Sequence, residues 1–243
     1  MSKYIPMYGT AYQHLKSLKY FLETRKWVKF DKFAIGSYAP VLVAVLRIRK
    51  FTSIQEIGSG FLSSRLFREY SEEKRMKHFI YESNTEWFEK IFKITKGASN
   101  TTLHLVGKLS NNESDKLLTR LGYDASLTNA EQLVFVDDGQ IAEDRIRTIN
   151  TVFEELKSIT IIHDAQTPAY RMALNRLQQK NIGLIHYFDE RLPSTAVFVP
   201  KEIMGHNSNL FRDIKLEIDK LPEYSGSSEE EFFNFCRSQL FIS

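Results

Sequence analysis

The sequence predicts an α/β fold in which a mostly parallel sheet is covered by helices on both faces. Two observations predict this class. Between residues 53 and 199, short β-prone runs alternate with longer amphipathic runs, as they do in sheets built from strand–helix–strand crossovers. Near the end of this region two β-prone runs are separated by only six residues, 189–194. Because parallel strands need a longer crossover, this connection can join only antiparallel strands. One strand must therefore be antiparallel to the rest of the sheet.

The size and composition of the chain are those of a globular protein. Its 243 residues, 42% hydrophobic and 26% charged, suffice to bury a full core, which excludes disorder as the main state. No run of about 18 apolar residues and no secretory leader is present, so we expect a cytoplasmic chain with no membrane partner. The lone Cys236 excludes an internal disulfide and a CxxC redox pair.

The first fifty residues predict two helices and are strongly basic. Tyr12, Leu15, Leu18 and Leu22 recur at helical spacing, and an apolar run over 41–48 follows a break at 36–40. Ten Lys or Arg against two acidic residues give this segment a net charge of +8. Such a segment is the solvated face of amphipathic helices, a cover over an active site, or a nucleic-acid surface.

The remaining elements are predicted in order from their periodicity. Strands are expected at 53–57, 78–82, 101–106, 132–136, 159–162, 182–188 and 195–199. Helices are expected at 62–73, 85–94, 116–121, 143–156, 168–179 and 209–221, with a last one beginning at a capping box of Ser228 and Glu231.

Ligands of open α/β sheets bind at the carboxyl ends of the strands, so candidate site residues are sought there. The first strand ends in Glu56-Ile57-Gly58-Ser59-Gly60, where two glycines allow a tight turn and a close backbone approach. The second strand ends at Glu82, which stands 22 residues after Gly60. A carboxylate near that offset can accept both hydroxyls of a ribose. Position 63 is Ser, so the third glycine of a dinucleotide motif is absent.

The fourth and fifth strands also end in polar side chains: Asp137 and Asp138 follow the fourth, and His163 and Asp164 follow the fifth. The two neighbouring aspartates form a like-charge pair that raises one pKa, or they cap the next helix. His163 is a general base for a hydroxyl, or it holds a neighbour at the edge of the sheet.

Over residues 36–200 the sequence resembles the class I S-adenosylmethionine-dependent methyltransferases. The resemblance rests on the glycine motif, on Glu82 and on the reversed hairpin at 182–199. It implies a Rossmann-like three-layer sandwich whose seven strands have the order 3-2-1-4-5-7-6, with strand 7 antiparallel. It also implies S-adenosylmethionine as cofactor, and Ser37 or Tyr38 at its methionine end. The implied cofactor-binding residues are Ser37, Glu56, Gly58, Ser59, Gly60, Glu82 and Ser83.

The later strand ends resemble the small-molecule O-methyltransferases of the catechol type. This resemblance implies that Asp137, His163 and Asp164 face the methyl acceptor as the catalytic residues. Metal-dependent members hold a divalent cation through three such positions, of which Asp137 and Asp164 match two while the third is Ala165. Two carboxylates and water can hold Mg²⁺. A divalent metal therefore stays an alternative that the sequence does not favour.

We therefore expect a helical cap at 1–50, a cofactor-binding domain at 51–200 and a helical extension at 201–243. The expected function is methyl transfer to a hydroxyl of a small molecule or sugar. Three alternatives stay open: a nucleic-acid methyltransferase that uses residues 1–50, a non-catalytic binding or assembly protein, and another adenosine-using enzyme such as an aminopropyl transferase. The sequence does not predict an oligomeric state.

Overall fold

The computed structural model describes residues 7–26, 29–30, 36–106, 131–138, 142–155, 158–204 and 209–241. Its helices are α1 Met7–Thr24, α2 Ala39–Ile48, α3 Phe61–Lys74, α4 Thr85–Thr95, α5 Ala142–Glu155, α6 Pro168–Gln179, α7 Lys201–Met204, α8 Leu210–Lys220 and α9 Glu229–Leu240. Its strands are β1 Lys29–Phe30, β2 Ser53–Ile57, β3 Lys77–Glu82, β4 Thr101–Leu105, β5 Gln132–Val136, β6 Ile159–Ile162, β7 Gly183–Phe188, β8 Arg191–Leu192 and β9 Thr195–Pro200.

The main sheet has seven strands in the order β4-β3-β2-β5-β6-β9-β7. β9 pairs antiparallel with both β6 and β7, and the other pairs are parallel. The α/β class, the reversed hairpin and the implied strand order are therefore confirmed. A finding that the sequence did not predict is the small second sheet, in which β1 pairs parallel with β8 inside the hairpin connection.

The predicted element positions agree with the structure to within one or two residues at most ends. Three strands and the helix α6 have the predicted bounds. The capping box of Ser228 and Glu231 is present at the start of α9. The helix predicted at 116–121 lies outside the described residues.

Hydrophobic residues fill the space on both faces of the sheet, as a parallel sheet requires. On one face α2, α3, α8 and α9 pack over the sheet, and α2 alone buries seven of its ten residues. On the other face α5 and α6 pack over β5, β6 and β9. One cluster thus takes residues from all three of the predicted segments, 1–50, 51–200 and 201–243. The division into domains stays a prediction.

The helix α1 forms where the leucine spacing predicts a helix, but those leucines do not face the sheet. The exposed fractions of Leu15, Leu18 and Leu22 are 66%, 45% and 69%. Ser17 and Tyr20, which lie on another face of α1, are buried. Within the described part of the chain, none of the helices has the length and apolarity needed to cross a membrane.

Candidate functional site

The turn after β2 meets the end of β3 at the carboxyl edge of the sheet. The backbone N–H and the hydroxyl of Ser59 donate to Oε2 of Glu82, at 3.1 and 2.5 Å. The backbone N–H of Asn84 donates to Oε1 of the same carboxylate at 2.7 Å. Glu82 is 6% exposed, and Ser83 beside it is exposed. The structure therefore brings together the glycine turn and the acid that the sequence singled out.

Trp87, near the start of α4, also binds the glycine turn that follows β2. Its indole N–H donates to the carbonyl oxygen of Ser59 at 2.6 Å, and its ring packs edge-on against Phe61 with centroids 4.8 Å apart. Asn84 caps α4 by accepting from the backbone N–H of Trp87. Trp87 thus helps to position the turn. Sequence reasoning missed it because no local pattern links Trp87 to Ser59, 28 residues earlier in the chain.

Position 58 requires glycine because the loop after β5 packs closely against it. Its φ of +79° lies in the left-handed region, and a Cβ there would lie 2.5 Å from the backbone N of Asp138. A Cβ on Gly60 would lie 2.8 Å from the hydroxyl of Ser63. Gly58 therefore packs the loop after β2 against the loop after β5. Contact of either glycine with a cofactor stays a prediction.

Glu56 points into the protein and is fully buried. Its Oε1 accepts from the hydroxyls of Ser63 and Ser64 at 2.5 and 3.0 Å, and its Oε2 lies 3.1 Å from Nε2 of His78. Both oxygens are therefore bonded to the chain itself, which ties β2 to α3 and β3. The predicted cofactor contact of Glu56 is untested. His78 is fully buried.

A cluster of four charged side chains follows β5 and β6, and we call it the polar centre: Asp137, Arg145, His163 and Asp164. Oδ1 of Asp137 accepts from Arg145 at 3.0 Å and lies 3.1 Å from Nδ1 of His163. Arg145 also lies 3.5 Å from Oδ2 of Asp164 and donates to the carbonyl oxygen of His163 at 3.2 Å. The three predicted catalytic residues are thus brought together by an arginine that the sequence analysis did not single out.

The surroundings of His163 favour its protonated form. Burial disfavours the charged ring, but the carboxylates of Asp137 and Asp164 outweigh this effect and raise the pKa of His163 above its ordinary value. Nε2 of His163 lies 3.3 Å from the hydroxyl of Ser37, which itself donates to the carbonyl of Pro193. Both ring nitrogens therefore face acceptors. In this arrangement the ring holds its neighbours, and the role of general base stays a prediction that requires Ser37 to leave Nε2.

The pKa of Asp164 is shifted in the opposite direction to that of His163. Burial would raise the pKa of its carboxyl, but His163, Lys16 and Arg145 outweigh burial and lower this pKa below its ordinary value. Its side chain is 28% exposed, so it is in reach of solvent or of a ligand.

The polar centre does not fit a divalent cation. Asp137, His163 and Asp164 each offer one ligand atom, and these atoms lie within 4.8 Å of one another. However, the guanidinium of Arg145, itself only 5% exposed, already bridges Asp137 and Asp164 as their cation. A metal bound there would have to lie beside this fixed positive charge, which is unfavourable at short range. We therefore derive no chemistry from a metal.

Residues of the N-terminal segment, 1–50, contact the polar centre. Lys16 of α1 lies 3.8 Å from Oδ1 of Asp164. The ring of Tyr38, just before α2, packs edge-on against His163 with centroids 4.9 Å apart. The hydroxyl of Tyr38 lies on the side of Gly60, 3.9 Å from where a Cβ of that glycine would be. Ser37 and Tyr38 therefore link the polar centre with the glycine turn.

Arg145 could have been found from the sequence. It stands four and seven residues before Ile149 and Val152, both fully buried, so it shares the inward face of α5. An arginine on a buried face needs an acidic partner, and the aspartates after β5 lie eight and seven residues before it in the chain.

The carboxyl group of Asp138 has a raised pKa and one buried oxygen without a hydrogen bond. Burial, followed by a smaller effect of Asp137, raises its pKa to about 7 against the opposing hydrogen bond from Thr148. Oδ2 accepts from the hydroxyl of Thr148 at 2.5 Å, whereas Oδ1 is buried with no hydrogen-bond partner. The raised pKa expected for one of the two aspartates is thus present, but burial is its main cause.

We expect the wild type to lose stability as the pH rises through the titration of Asp138, and we expect Asp138→Asn to lack this loss. The unfolded chain releases this proton above about pH 4, whereas the folded chain holds it to about pH 7. The folded state is therefore destabilised as the pH rises through this window, by about 2–4 kcal/mol. Urea unfolding at pH 5 and pH 8 should show a smaller decrease for the variant than for the wild type. Exposed Asp219→Asn is the control, and an equal decrease in Asp138→Asn and wild type would contradict the prediction.

The strand order identifies the fold. Seven strands in this order, with one reversed strand second from the edge, form the sheet that the sequence resemblance implies. The chain therefore has a Rossmann-like fold with this strand order. No family model matches the sequence, and no curated protein matches it.

Solved structures similar to this chain include several methyltransferases. A precorrin-6y C5,15-methyltransferase from Geobacter metallireducens is 15% identical, with 70% of this chain and 91% of that chain covered and a TM-score of 0.46. The O-methyltransferase TomG from Streptomyces achromogenes, solved in complex with SAM, is 14% identical over 77% and 98% of the two chains, with a TM-score of 0.45. Fibrillarin from Aeropyrum pernix, with natively bound S-adenosyl-L-methionine, is 12% identical over 68% and 76%, with a TM-score of 0.46. At these identities the likeness concerns the fold alone.

Proposed function

We propose that the chain is an S-adenosylmethionine-dependent methyltransferase that acts on a hydroxyl of a small molecule or sugar. The observation that carries this proposal is the contact between Ser59 in the glycine turn and Glu82 at the tip of the next strand. The polar centre lies at the same edge of the sheet, after β5 and β6. Cofactor and acceptor sites would thus be neighbours at the carboxyl ends of the central strands.

The residues around Glu82 fit the nucleoside part of this cofactor. A carboxylate has about four acceptor positions, and Glu82 uses three of them for Ser59 and Asn84. A ribose hydroxyl could replace the Ser59 hydroxyl on this carboxylate without loss of a bond. Phe61, 42% exposed, offers an apolar ring beside this position. Glu82 would hold the ribose, and the turn after β2 would lie along the cofactor.

When bound, the cofactor supplies a methyl group on a positively charged sulfur, which is reactive without a covalent enzyme intermediate. The chain's own residues then have to align the acceptor hydroxyl and exclude water. Lys16 and Ser37 place the N-terminal segment over the polar centre, where it can close the acceptor side. Asp164 is the partly exposed acceptor of a substrate hydrogen bond.

Once the acceptor hydroxyl has replaced Ser37 at Nε2, His163 would take its proton there, while Asp137 fixes the ring through Nδ1. The ring can accept this proton only in its neutral form. Because the pKa of His163 is raised, the neutral form increases as the pH rises through this value. Methyl transfer should therefore speed up towards alkaline pH.

The nucleic-acid alternative finds no support in the position of the cations at 47–50. They lie at the end of α2, directly before β2, at the amino edge of the sheet. The five residues of β2 span about 17 Å, so this run is separated from the polar centre by the length of the sheet. It does not deliver a nucleic acid to the proposed acceptor site.

Calorimetry with S-adenosylmethionine and S-adenosylhomocysteine tests the cofactor assignment. We expect the wild type to bind both compounds. Glu82→Ala should weaken binding by about 1–3 kcal/mol because a buried hydrogen-bond acceptor is lost. Glu86→Ala is the matched control: Glu86 lies four residues further on, its side chain is 80% exposed, and it pairs only with Lys90 among the contacts described.

Two results would contradict the cofactor assignment: no binding of either compound by the wild type, or equal binding by Glu82→Ala and Glu86→Ala. Tighter binding of the decarboxylated cofactor would instead favour an aminopropyl transferase. Binding without methyl transfer to any hydroxylated acceptor would favour a binding protein.

A further inference from the structure

A cavity lies at the amino edge of the sheet, away from the polar centre. Its volume is about 640 Å³. It is lined by the end of α2, the residues leading into β2, the last turns of α3, and one residue each of α8 and α9. A cavity of this size is in the range of small-molecule sites.

Among the charged residues described in the lining of this cavity, cations outnumber acids. Arg47, Arg49, Lys50 and Lys74 line it, with Glu217 as the acidic member. Both oxygens of Glu217 are engaged by cations: Oε1 lies 2.9 Å from Nε of Arg47, and Oε2 lies 3.0 Å from Nζ of Lys220. The acid is therefore neutralised, and the cavity keeps an excess of positive charge.

These cations come from two different helix ends. Arg47, Arg49 and Lys50 follow one another at the end of α2, and Lys74 is the last residue of α3. Cations also stabilise helix C-termini, which is the ordinary reason for such residues. Stabilisation of helix ends does not explain why the ends of α2 and α3 line the same cavity. The buried side chains of Phe51 and Tyr70 form the inner wall of this cavity.

We propose that this cavity binds the phosphate group of a small phosphorylated molecule. Guanidinium and ammonium groups are the side chains that bind phosphate oxygens in proteins. The cations line one pocket, which suits a small ligand better than the extended backbone of a nucleic acid. The site is independent of the proposed methyl transfer because it lies at the opposite edge of the sheet.

Calorimetry with inorganic pyrophosphate at low salt tests this proposal. We expect the wild type to bind it, and we expect Lys50→Ala/Lys74→Ala to bind it at least about tenfold more weakly, since two charge-assisted contacts are lost. Both lysines are exposed, so their removal leaves the core unchanged. The matched control is Lys93→Ala/Lys96→Ala, which removes two exposed lysines at the end of α4. It should keep wild-type affinity.

The proposal would be overturned by no pyrophosphate binding by the wild type, by an equal loss in both double variants, or by no loss in either. A single-stranded RNA of about ten nucleotides is the comparison probe. RNA binding that pyrophosphate cannot displace would also overturn the proposal, in favour of a nucleic-acid surface. Binding of S-adenosylmethionine should be the same in all variants, so this result is separate from the test of the proposed function.

Discussion

Replacing Arg145 by methionine is expected to lower the free energy of unfolding by about 3 kcal/mol, at the lower end of the range for a broken buried ion pair. Methionine fills the space of the aliphatic stem, but Asp137 and Asp164 lose the cation that bridges them. Both carboxylates are partly exposed, with 21% and 28% of their side chains accessible. Water can therefore relieve some of the loss. Guanidinium unfolding measures the change.

A second measurement separates an electrostatic role of Arg145 from simple packing. The positive charge of Arg145 lowers the pKa of His163, so this pKa should rise further in the variant, as NMR titration of the ring would show. The control is Arg212→Met, at a pair whose side chains are 66% and 46% exposed, where we expect a change below about 1 kcal/mol. An unchanged His163 pKa in Arg145→Met would contradict the bridging role.

Replacing Gly58 by alanine should destabilise the fold by about 2–5 kcal/mol and abolish cofactor binding. Two effects add in this variant. A left-handed residue with a Cβ costs roughly 1–2 kcal/mol, and overpacking costs about 1–3 kcal/mol more. The new Cβ would meet backbone atoms of Asp137 and Asp138, which cannot rotate away. The turns after β2 and β5 would therefore separate, and both halves of the proposed site would move.

Gly97→Ala is the matched control for this substitution. Gly97 has nearly the same conformation, with a φ of +84°, but nothing lies within 4 Å of its added Cβ. It should show the backbone effect alone, about 1–2 kcal/mol, with cofactor binding unchanged. Equal losses for Gly58→Ala and Gly97→Ala would show that the approach of the Asp138 backbone contributes nothing.

Much of the fold was predictable because the signals for it are local. β-prone runs and amphipathic runs show where strands and helices form, and the short connection at 189–194 requires a reversed strand. The contact between the glycine turn and Glu82 was also predictable, since parallel neighbours end at the same edge of a sheet. The face that α1 turns to the protein was not predictable, because its exposed leucines have the spacing of a packed stripe.

The sequence by itself determined the order of elements, the class of the fold and the strand ends that carry polar side chains. Only the tertiary structure decided what those side chains do. It turned Glu56 inward to His78, placed the backbone of Asp138 against Gly58, and set Arg145 between Asp137 and Asp164. The physical reason is that each role depends on charges and hydrogen bonds from residues distant in the chain, which come within reach only when the sheet has formed.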